Sequence, residues 1–338
     1  MARFSRLDTL NSIVDIGLVP VFYNDDIEMA KKIVAACRAG GARVVEFTNR
    51  GDLAYQVFAE LVRHFAKADP SLILGVGSVV DPGTAALYIA SGANFVVGPV
   101  LNPDVAKVCN RRKVPYSPGC GSASEISEAE ELGVEIVKVF PGSEVGGPAF
   151  VKAVLGPCPW TRIMPTGGVD TTEESINAWF KAGVAAVGIG SNLITKEIVA
   201  SGNFEALSAK TSLVLGMIRK ARGKSIFEGV EHVGIYPSAK ASGKEIAEWY
   251  GQVFGFQVKE GNSSFFDAGS GPGRIEVMKQ GDGGTHVAIK VSDFEAAVEA
   301  LRARGVELEN FRAGPTGKAA FLRQTDPAGN LVHILWSA

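Results

Sequence analysis

A junction in which a helix ends on glycine and an apolar strand follows at once recurs along this chain and narrows the folds open to it. It occurs as Ala39-Gly40-Gly41-Ala42-Arg43-Val44-Val45 and as Ser91-Gly92-Ala93-Asn94-Phe95-Val96-Val97. It returns as Leu132-Gly133-Val134-Glu135-Ile136-Val137 and as Ala182-Gly183-Val184-Ala185-Ala186-Val187. Glycine supplies the positive φ of a helix C-cap, and near-continuous apolar strands belong to parallel sheets covered on both faces. Between the junctions, apolar residues recur at spacings of three and four, as in Ile27, Ala30, Ile33, Val34 and Cys37, or Leu53, Val57, Leu61 and Phe65. That is the spacing of one helix face. Strand-like runs fall at 19–23, 44–47, 72–77, 95–99, 116–119, 136–140, 162–166 and 185–189. Eight strands alternating with helices predict an α/β architecture, a (β/α)8 TIM barrel. An open doubly wound sheet is the competing arrangement.

The pattern stops near Arg222-Gly223-Lys224, and 338 residues are more than one barrel needs, so two domains are expected, 1–222 and 223–338. Lys and Arg total 34 against 36 Asp and Glu, which leaves no strong field for nucleic acid or an anionic membrane surface. The four cysteines, Cys37, Cys109, Cys120 and Cys158, form no CxxC pair and read as reduced thiols rather than a disulfide frame. Asp8 and Asp15 interrupt the N-terminus before any signal-like apolar stretch. No run approaches the roughly 18 apolar residues of a membrane span. The expectation is a cytoplasmic protein with a small-molecule substrate, no nucleic-acid partner and no membrane.

In a barrel, chemistry gathers at the C-terminal ends of the strands. Strand two runs Val44-Val45-Glu46-Phe47-Thr48-Asn49-Arg50 and strand six Ile136-Val137-Lys138-Val139-Phe140-Pro141. Alternation puts Val44, Glu46 and Thr48 on one face, and likewise Ile136, Lys138 and Phe140. Both ionisable residues are wedged between large apolar neighbours, where a charge is costly unless paired or used. A desolvated lysine reaches its neutral amine nearer pH 7, and a neutral amine attacks ketones. The plainer alternative is an edge-strand lysine with its head in water; a closed barrel has no edges. Two glycine-rich strand ends follow, Pro165-Thr166-Gly167-Gly168-Val169 and Val187-Gly188-Ile189-Gly190-Ser191-Asn192. Bare backbone N–H groups there suit a phosphorylated substrate.

Over roughly residues 8–222 these motifs resemble the 2-keto-3-deoxy-6-phosphogluconate / 4-hydroxy-2-oxoglutarate aldolases. The resemblance is carried by Val19-Pro20-Val21, Val45-Glu46-Phe47-Thr48-Asn49-Arg50, Gly75-Val76-Gly77-Ser78-Val79, Pro118-Gly119, Val137-Lys138-Val139-Phe140-Pro141 and Pro165-Thr166-Gly167-Gly168-Val169. It implies a class I aldolase that needs no metal for this step and assembles as a trimer through the barrel. Lys138 would form the Schiff base with the keto acid, and Glu46 would be the general acid/base. Arg50 and Ser78 match the positions that hold the pyruvate carboxylate, and Gly167, Gly168, Gly190 and Ser191 match the phosphate site. Pro99, Phe140 and Thr166 join them as expected substrate contacts. Ser78 stands where threonine is usual and Tyr23 where arginine is frequent. The expected reaction cleaves a 2-keto-3-deoxy sugar acid, 2-keto-3-deoxy-6-phosphogluconate first, to pyruvate and glyceraldehyde 3-phosphate. Open alternatives are 4-hydroxy-2-oxoglutarate, another keto-deoxy acid, or a phosphosugar epimerase or isomerase on the same barrel.

The second part reads as two similar blocks of strand, helix and shorter strands. Their first strands open Glu231-His232-Val233-Gly234 and Thr285-His286-Val287-Ala288, and their closing strands hold Ile275-Glu276-Val277 and Val332-His333-Ile334. From about residue 228 onward this resembles the vicinal oxygen chelate (glyoxalase/bleomycin-resistance) family, which implies a smaller α+β domain of paired βαβββ modules. The ligand positions then fall on His232, Glu276, His286 and His333, with His333 where glutamate is usual. Such a donor set suits Zn²⁺, Fe²⁺, Mn²⁺ or Ni²⁺. A metal-free domain that only packs or assembles is the alternative.

Overall fold

Each glycine junction does what its sequence predicts: Gly41, Gly92, Gly133 and Gly183 take positive φ values of 100, 104, 82 and 102°. A strand follows each one. The computed structural model describes residues 2–269, 273–281, 284–314 and 317–337, and the chain divides into two units, 1–224 and 225–338.

The first unit is a curled parallel sheet with helices outside it. Its strands are β1 (Leu18–Phe22), β2 (Val44–Thr48), β3 (Ile73–Gly77), β4 (Val96–Val97), β5 (Tyr116–Ser117), β6 (Gly119–Cys120), β7 (Val137–Val139), β8 (Ile163–Pro165) and β9 (Val187–Ile189). They pair in the order β5-β4-β3-β2-β1-β9 and β6-β7-β8. Pro118, which has no N–H to donate, separates β5 from β6, so the fifth strand read from sequence is two short segments. A parallel bridge between Thr166 and Gly188 links the end of β8 to β9. Around the curl, Val19, Val44, Ile73, Phe95, Ile136, Met164 and Ala186 meet in one apolar cluster. Leu10 and Ile13 of the helix Arg6–Ile16 join that cluster, at roughly 1.5–3 kcal/mol for each buried side chain. That helix, N-capped by Ser5, closes the N-terminal end of the strands and leaves the C-terminal end to chemistry.

The second unit is an eight-stranded mixed sheet. It contains β10 (Phe227–Ile235), β11 (Gln257–Glu260), β12 (Ser264–Ala268), β13 (Arg274–Met278), β14 (Thr285–Val291), β15 (Leu308–Gly314), β16 (Gly317–Leu322) and β17 (Leu331–Ser337). Their order is β11-β12-β13-β10-β14-β17-β16-β15. Helices Gly243–Phe254 and Phe294–Ala303 follow β10 and β14. The first is fixed by a Ser242/Glu245 capping box. Each helix packs its apolar side on the sheet, Ala247 against Phe265 and Val277, and Phe294, Ala297, Val298 and Leu301 against Ala320 and Ile334. Strand β15 has no counterpart in the sequence reading. Its residues are mostly exposed and carry no apolar alternation.

Candidate functional site

Lys138 and Glu46 sit one inward step beyond the apolar layer formed by Ile136 and Val44. Both are nearly sealed, Glu46 at 1% and Lys138 at 5% exposure. Burial holds the Lys138 ammonium below its usual range, opposed by Glu46 and assisted by Arg50. Burial also holds the Glu46 carboxyl above its usual range, with Lys138 and Arg50 pulling the other way. Each group is thus pushed toward its neutral form. Lys138 Nζ lies 4.6 Å from the centre of the Phe140 ring, and Glu46 Oε2 is buried with no hydrogen-bond partner among the described residues.

Arg50 and Ser78 are brought together, with the guanidinium Nε 3.5 Å from the Ser78 hydroxyl oxygen. Ser78 holds a left-handed φ of 59°, a conformation that costs a non-glycine residue energy. Thr48 donates to the Phe22 carbonyl at 3.2 Å, and Tyr88 donates to Asn49 Oδ1 at 2.8 Å, which fixes the segment leading to Arg50.

A cavity of about 640 Å³ opens here, lined by Arg50, Phe140, Thr166, Gly167, Gly168, Gly190 and Ser191 among others. Lys138, Glu46, Ser78 and Pro99 are not among its lining residues; Lys138 reaches the Phe140 ring that does line it, and the Pro99 carbonyl backs onto Gly119. The two glycine loops are tied together by Asn192, whose Nδ2 donates to the Val169 carbonyl at 3.1 Å and to Asp170 Oδ1 at 2.5 Å. Lys196, Asn24 and Tyr23 also stand in the wall, and sequence reasoning assigned none of them a role there. Loop residues carry no periodicity that marks which side chains converge.

In the second unit the sheet register gathers the four predicted ligands on one face. Gly234 of β10 faces Glu276 of β13 and His286 of β14, and Ala288 of β14 faces His333 of β17. Gly234 has to be glycine, because a Cβ there would meet the His286 ring at 1.8 Å. Ligand atoms of His232, His286 and His333 lie within 4.8 Å of one another. Glu276 Oε2 is 2.9 Å from His232 Nε2 and 3.4 Å from His286 Nε2, and its Oε1 accepts from the Ser264 hydroxyl at 2.7 Å. His232 Nδ1 is hydrogen-bonded to Glu231, which pairs with Arg274 at 2.7 Å. Neighbours on a regular strand point to opposite faces; a register shift between Val230 and His232 lets Glu231 reach its neighbour. That shift hid Glu231 from sequence reasoning.

The family model described as KDPG and KHG aldolase matches residues 11–210. The chain belongs to that family. It is an aldolase, a lyase that acts on carbon–carbon bonds. The description Glyoxalase/Bleomycin resistance protein/Dioxygenase superfamily matches residues 241–334, so a glyoxalase-type domain follows the aldolase domain. A 2-dehydro-3-deoxy-phosphogluconate aldolase from Treponema pallidum is 33% identical over 206 residues, 60% of this chain and 95% of its own length. The KHG/KDPG aldolase of Escherichia coli is 30% identical over 198 residues, 58% of this chain and 90% of its own. Among solved structures, a Legionella pneumophila KDPG aldolase with pyruvate captured as a covalent carbinolamine superposes with a TM-score of 0.56 at 27% identity, covering 61% of this chain and 97% of that one. A Zymomonas mobilis 2-keto-3-deoxy-6-phosphogluconate aldolase with 3-phosphoglycerate gives 0.51 at 27% identity, covering 60% and 94%. Among the described residues no helix is long and apolar enough to cross a membrane.

Proposed function

We propose that the first unit cleaves a 2-keto-3-deoxy sugar acid, with 2-keto-3-deoxy-6-phosphogluconate as its main substrate, through a Schiff base on Lys138. The observation that carries this reading is the burial of Lys138 and Glu46 at one strand end, each driven toward its neutral form. The uncharged Lys138 amine attacks C2 of the keto acid. Glu46, holding its proton, gives it to the departing carbinolamine hydroxyl, and water leaves. The iminium draws electrons from C3, Glu46 takes back the C4 hydroxyl proton, and the C3–C4 bond breaks to release the aldehyde. The enamine left on Lys138 is protonated at C3, and hydrolysis returns pyruvate and the free amine.

Arg50 and Ser78 hold the carboxylate of the keto acid, Phe140 and Thr166 line its path, and Gly167, Gly168, Gly190 and Ser191 offer backbone N–H groups to the phosphate. A cavity of about 640 Å³ beside Arg50 and Phe140 and the relatives' printed substrates support this reading. The Escherichia coli relative named for both acids supports 4-hydroxy-2-oxoglutarate as a second substrate. Treating the protein with borohydride in the presence of pyruvate tests the reading: mass spectrometry should find a reduced adduct on Lys138. A Lys138→Ala protein that still releases pyruvate at the parent rate sinks it. We also propose the closed (β/α)8 form, the paired βαβββ form and a trimer through the barrel, on the strength of the family resemblance.

For the second unit, three imidazoles and one carboxylate converge on a single face, a donor set that fits a divalent transition metal. His232, Glu276, His286 and His333 would hold it, and as a Lewis acid it would polarise adjacent substrate oxygens. The buried His286 Nδ1 and His333 Nδ1 have no hydrogen-bond partner among the described residues, and His286 turns its Nε2 toward His232 and Glu276.

A further inference from the structure

The cavity of the first unit carries a charge that the imine chemistry does not use. Its wall holds two cations, Arg50 and Lys196, and among the described residues lining it none is Asp or Glu. Arg50 belongs to the reacting end, because its field acts on both Lys138 and Glu46. Lys196 follows the Gly190-Ser191 loop, and no ion pair or hydrogen bond among the described residues engages its ammonium. Other lysines nearby are occupied: Lys210 donates to the Asn192 carbonyl at 2.6 Å and Lys220 to Glu173 at 2.5 Å. Lys210 and Asn192 fix the loop, so Lys196 rises from a held backbone rather than a loose one. Thr166 Oγ1, of a residue in the same wall, is buried without a hydrogen-bond partner among the described residues and lies close against Gly188 of the second glycine loop. A cavity with a cation at the reacting end, a second free cation and no opposing carboxylate is built for an acid with two anionic ends.

We propose that Lys196 is a specificity-determining residue of the aldolase, gripping with Thr166 the distal anionic group of a keto acid whose carboxylate is held at Arg50. This rests on the keto-acid reading above and adds to it the residue that tells a phosphorylated acid from its unphosphorylated counterpart. Backbone N–H groups carry no full charge, whereas an unpaired ammonium adds a charge–charge attraction that only the anionic ligand can use. Because Lys196 is exposed, water screens part of the attraction, and the expected effect is about ten-fold rather than several hundred-fold.

The test compares 2-keto-3-deoxy-6-phosphogluconate with 2-keto-3-deoxygluconate in the parent, Lys196→Gln and Lys196→Arg proteins. Lys196→Gln should raise KM for the phosphorylated acid about ten-fold while kcat moves less, and the ratio of kcat/KM between the two acids should fall by about as much. Lys196→Arg should restore most of that ratio. Binding of 3-phosphoglycerate against glycerate, followed by calorimetry, reads the same discrimination without a ketone and so without imine formation. Should the pyruvate adduct fail to form, the Schiff-base reading falls while the binding ratio still judges Lys196. A ratio that Lys196→Gln leaves unchanged in both assays, or an equal loss for both acids, overturns the proposal.

Discussion

The Glu46 carboxyl group lies directly over Gly77: a Cβ built on Gly77 would sit 1.8 Å from Glu46 Oε1. The two residues belong to neighbouring strands, with Thr48 of β2 opposite Gly77 of β3. The bare Cα is therefore the floor on which the carboxyl proposed as general acid/base rests. Gly77→Ala should force the flexible carboxyl to swing away while the strand stays in place. Pyruvate release should fall at least about 100-fold, the scale of a misplaced general acid/base, with little loss of melting temperature. Gly216 is the control, since a Cβ there meets nothing within 4 Å, and Gly216→Ala in its helix should keep activity and stabilise slightly. Equal loss of stability and rate in Gly77→Ala would mean that the glycine serves the sheet instead.

The buried amine of Lys138 sets the pH dependence. Its folded-state value is lowered by burial, so the neutral amine is reached below the ordinary lysine value of about 10.4. The rate of adduct formation with pyruvate should rise with pH along a limb whose midpoint lies below that value and then level off. A midpoint at the ordinary value would contradict the burial argument. Stability follows the same protons. Between the lowered and the ordinary value the unfolded chain binds a proton that the folded chain does not, so stability rises with pH there. Below the lowered value the full cost of a buried charge remains. The stability difference between Lys138→Met and the parent should therefore move in the parent's favour as pH rises into alkali. Denaturant midpoints at several pH values check it.

How far the sequence exposes this arrangement depends on periodicity. Glu46 and Lys138 were legible because a strand repeats every two residues, which places them on the face shared with Val44 and Ile136. The helix Arg6–Ile16 was not, although its Leu10 and Ile13 pack into the same cluster; its apolar stripe is narrow and broken by polar residues that are themselves buried, Thr9 and Ser12. Asn192 lies in a loop and Lys196 opens a helix of only six residues, Lys196–Ser201, so neither has a period to read. The three strand histidines were legible as a set, whereas Glu231 needed a register shift that no alternation rule anticipates.

Asp267 makes a stability prediction for the second unit. It is completely buried in β12, neither carboxyl oxygen has a hydrogen-bond partner among the described residues, and burial raises its carboxyl above the usual range. On the same strand face, Phe265 packs against Ala247 and Val277 beneath the helix Gly243–Phe254. The folded chain keeps the Asp267 proton after the unfolded chain has released it, so this unit loses stability as pH rises from the ordinary aspartate value to the raised one. Asp267→Leu removes the cost of the lone polar group, about 1–3 kcal/mol, and the gain should be larger at pH 7 than at pH 3. Hydrogen exchange of peptides from β12 and β13 in the full chain reports it. A variant that is less stable at every pH would show that the carboxyl is satisfied.

The metal reading can be separated from the aldolase reading through one carboxylate. Glu231 is hydrogen-bonded to His232 Nδ1 and steadied by Arg274 at 2.7 Å. With Nδ1–H donated to that carboxylate, the Nε2 lone pair is left for an ion. Such outer partners typically change metal affinity by about 10–100-fold. Glu231→Gln should weaken cobalt(II) binding by that factor, followed by the visible absorption of the bound ion, while Glu276→Ala, which removes a proposed direct ligand, should weaken it further. Chelation of the parent protein should leave the pyruvate adduct on Lys138 unchanged, because imine formation draws only on groups of the first unit. Cobalt absorption identical in the parent and Glu231→Gln proteins would reduce that hydrogen bond to packing. A chelator that abolished the adduct would instead tie the aldolase to a metal.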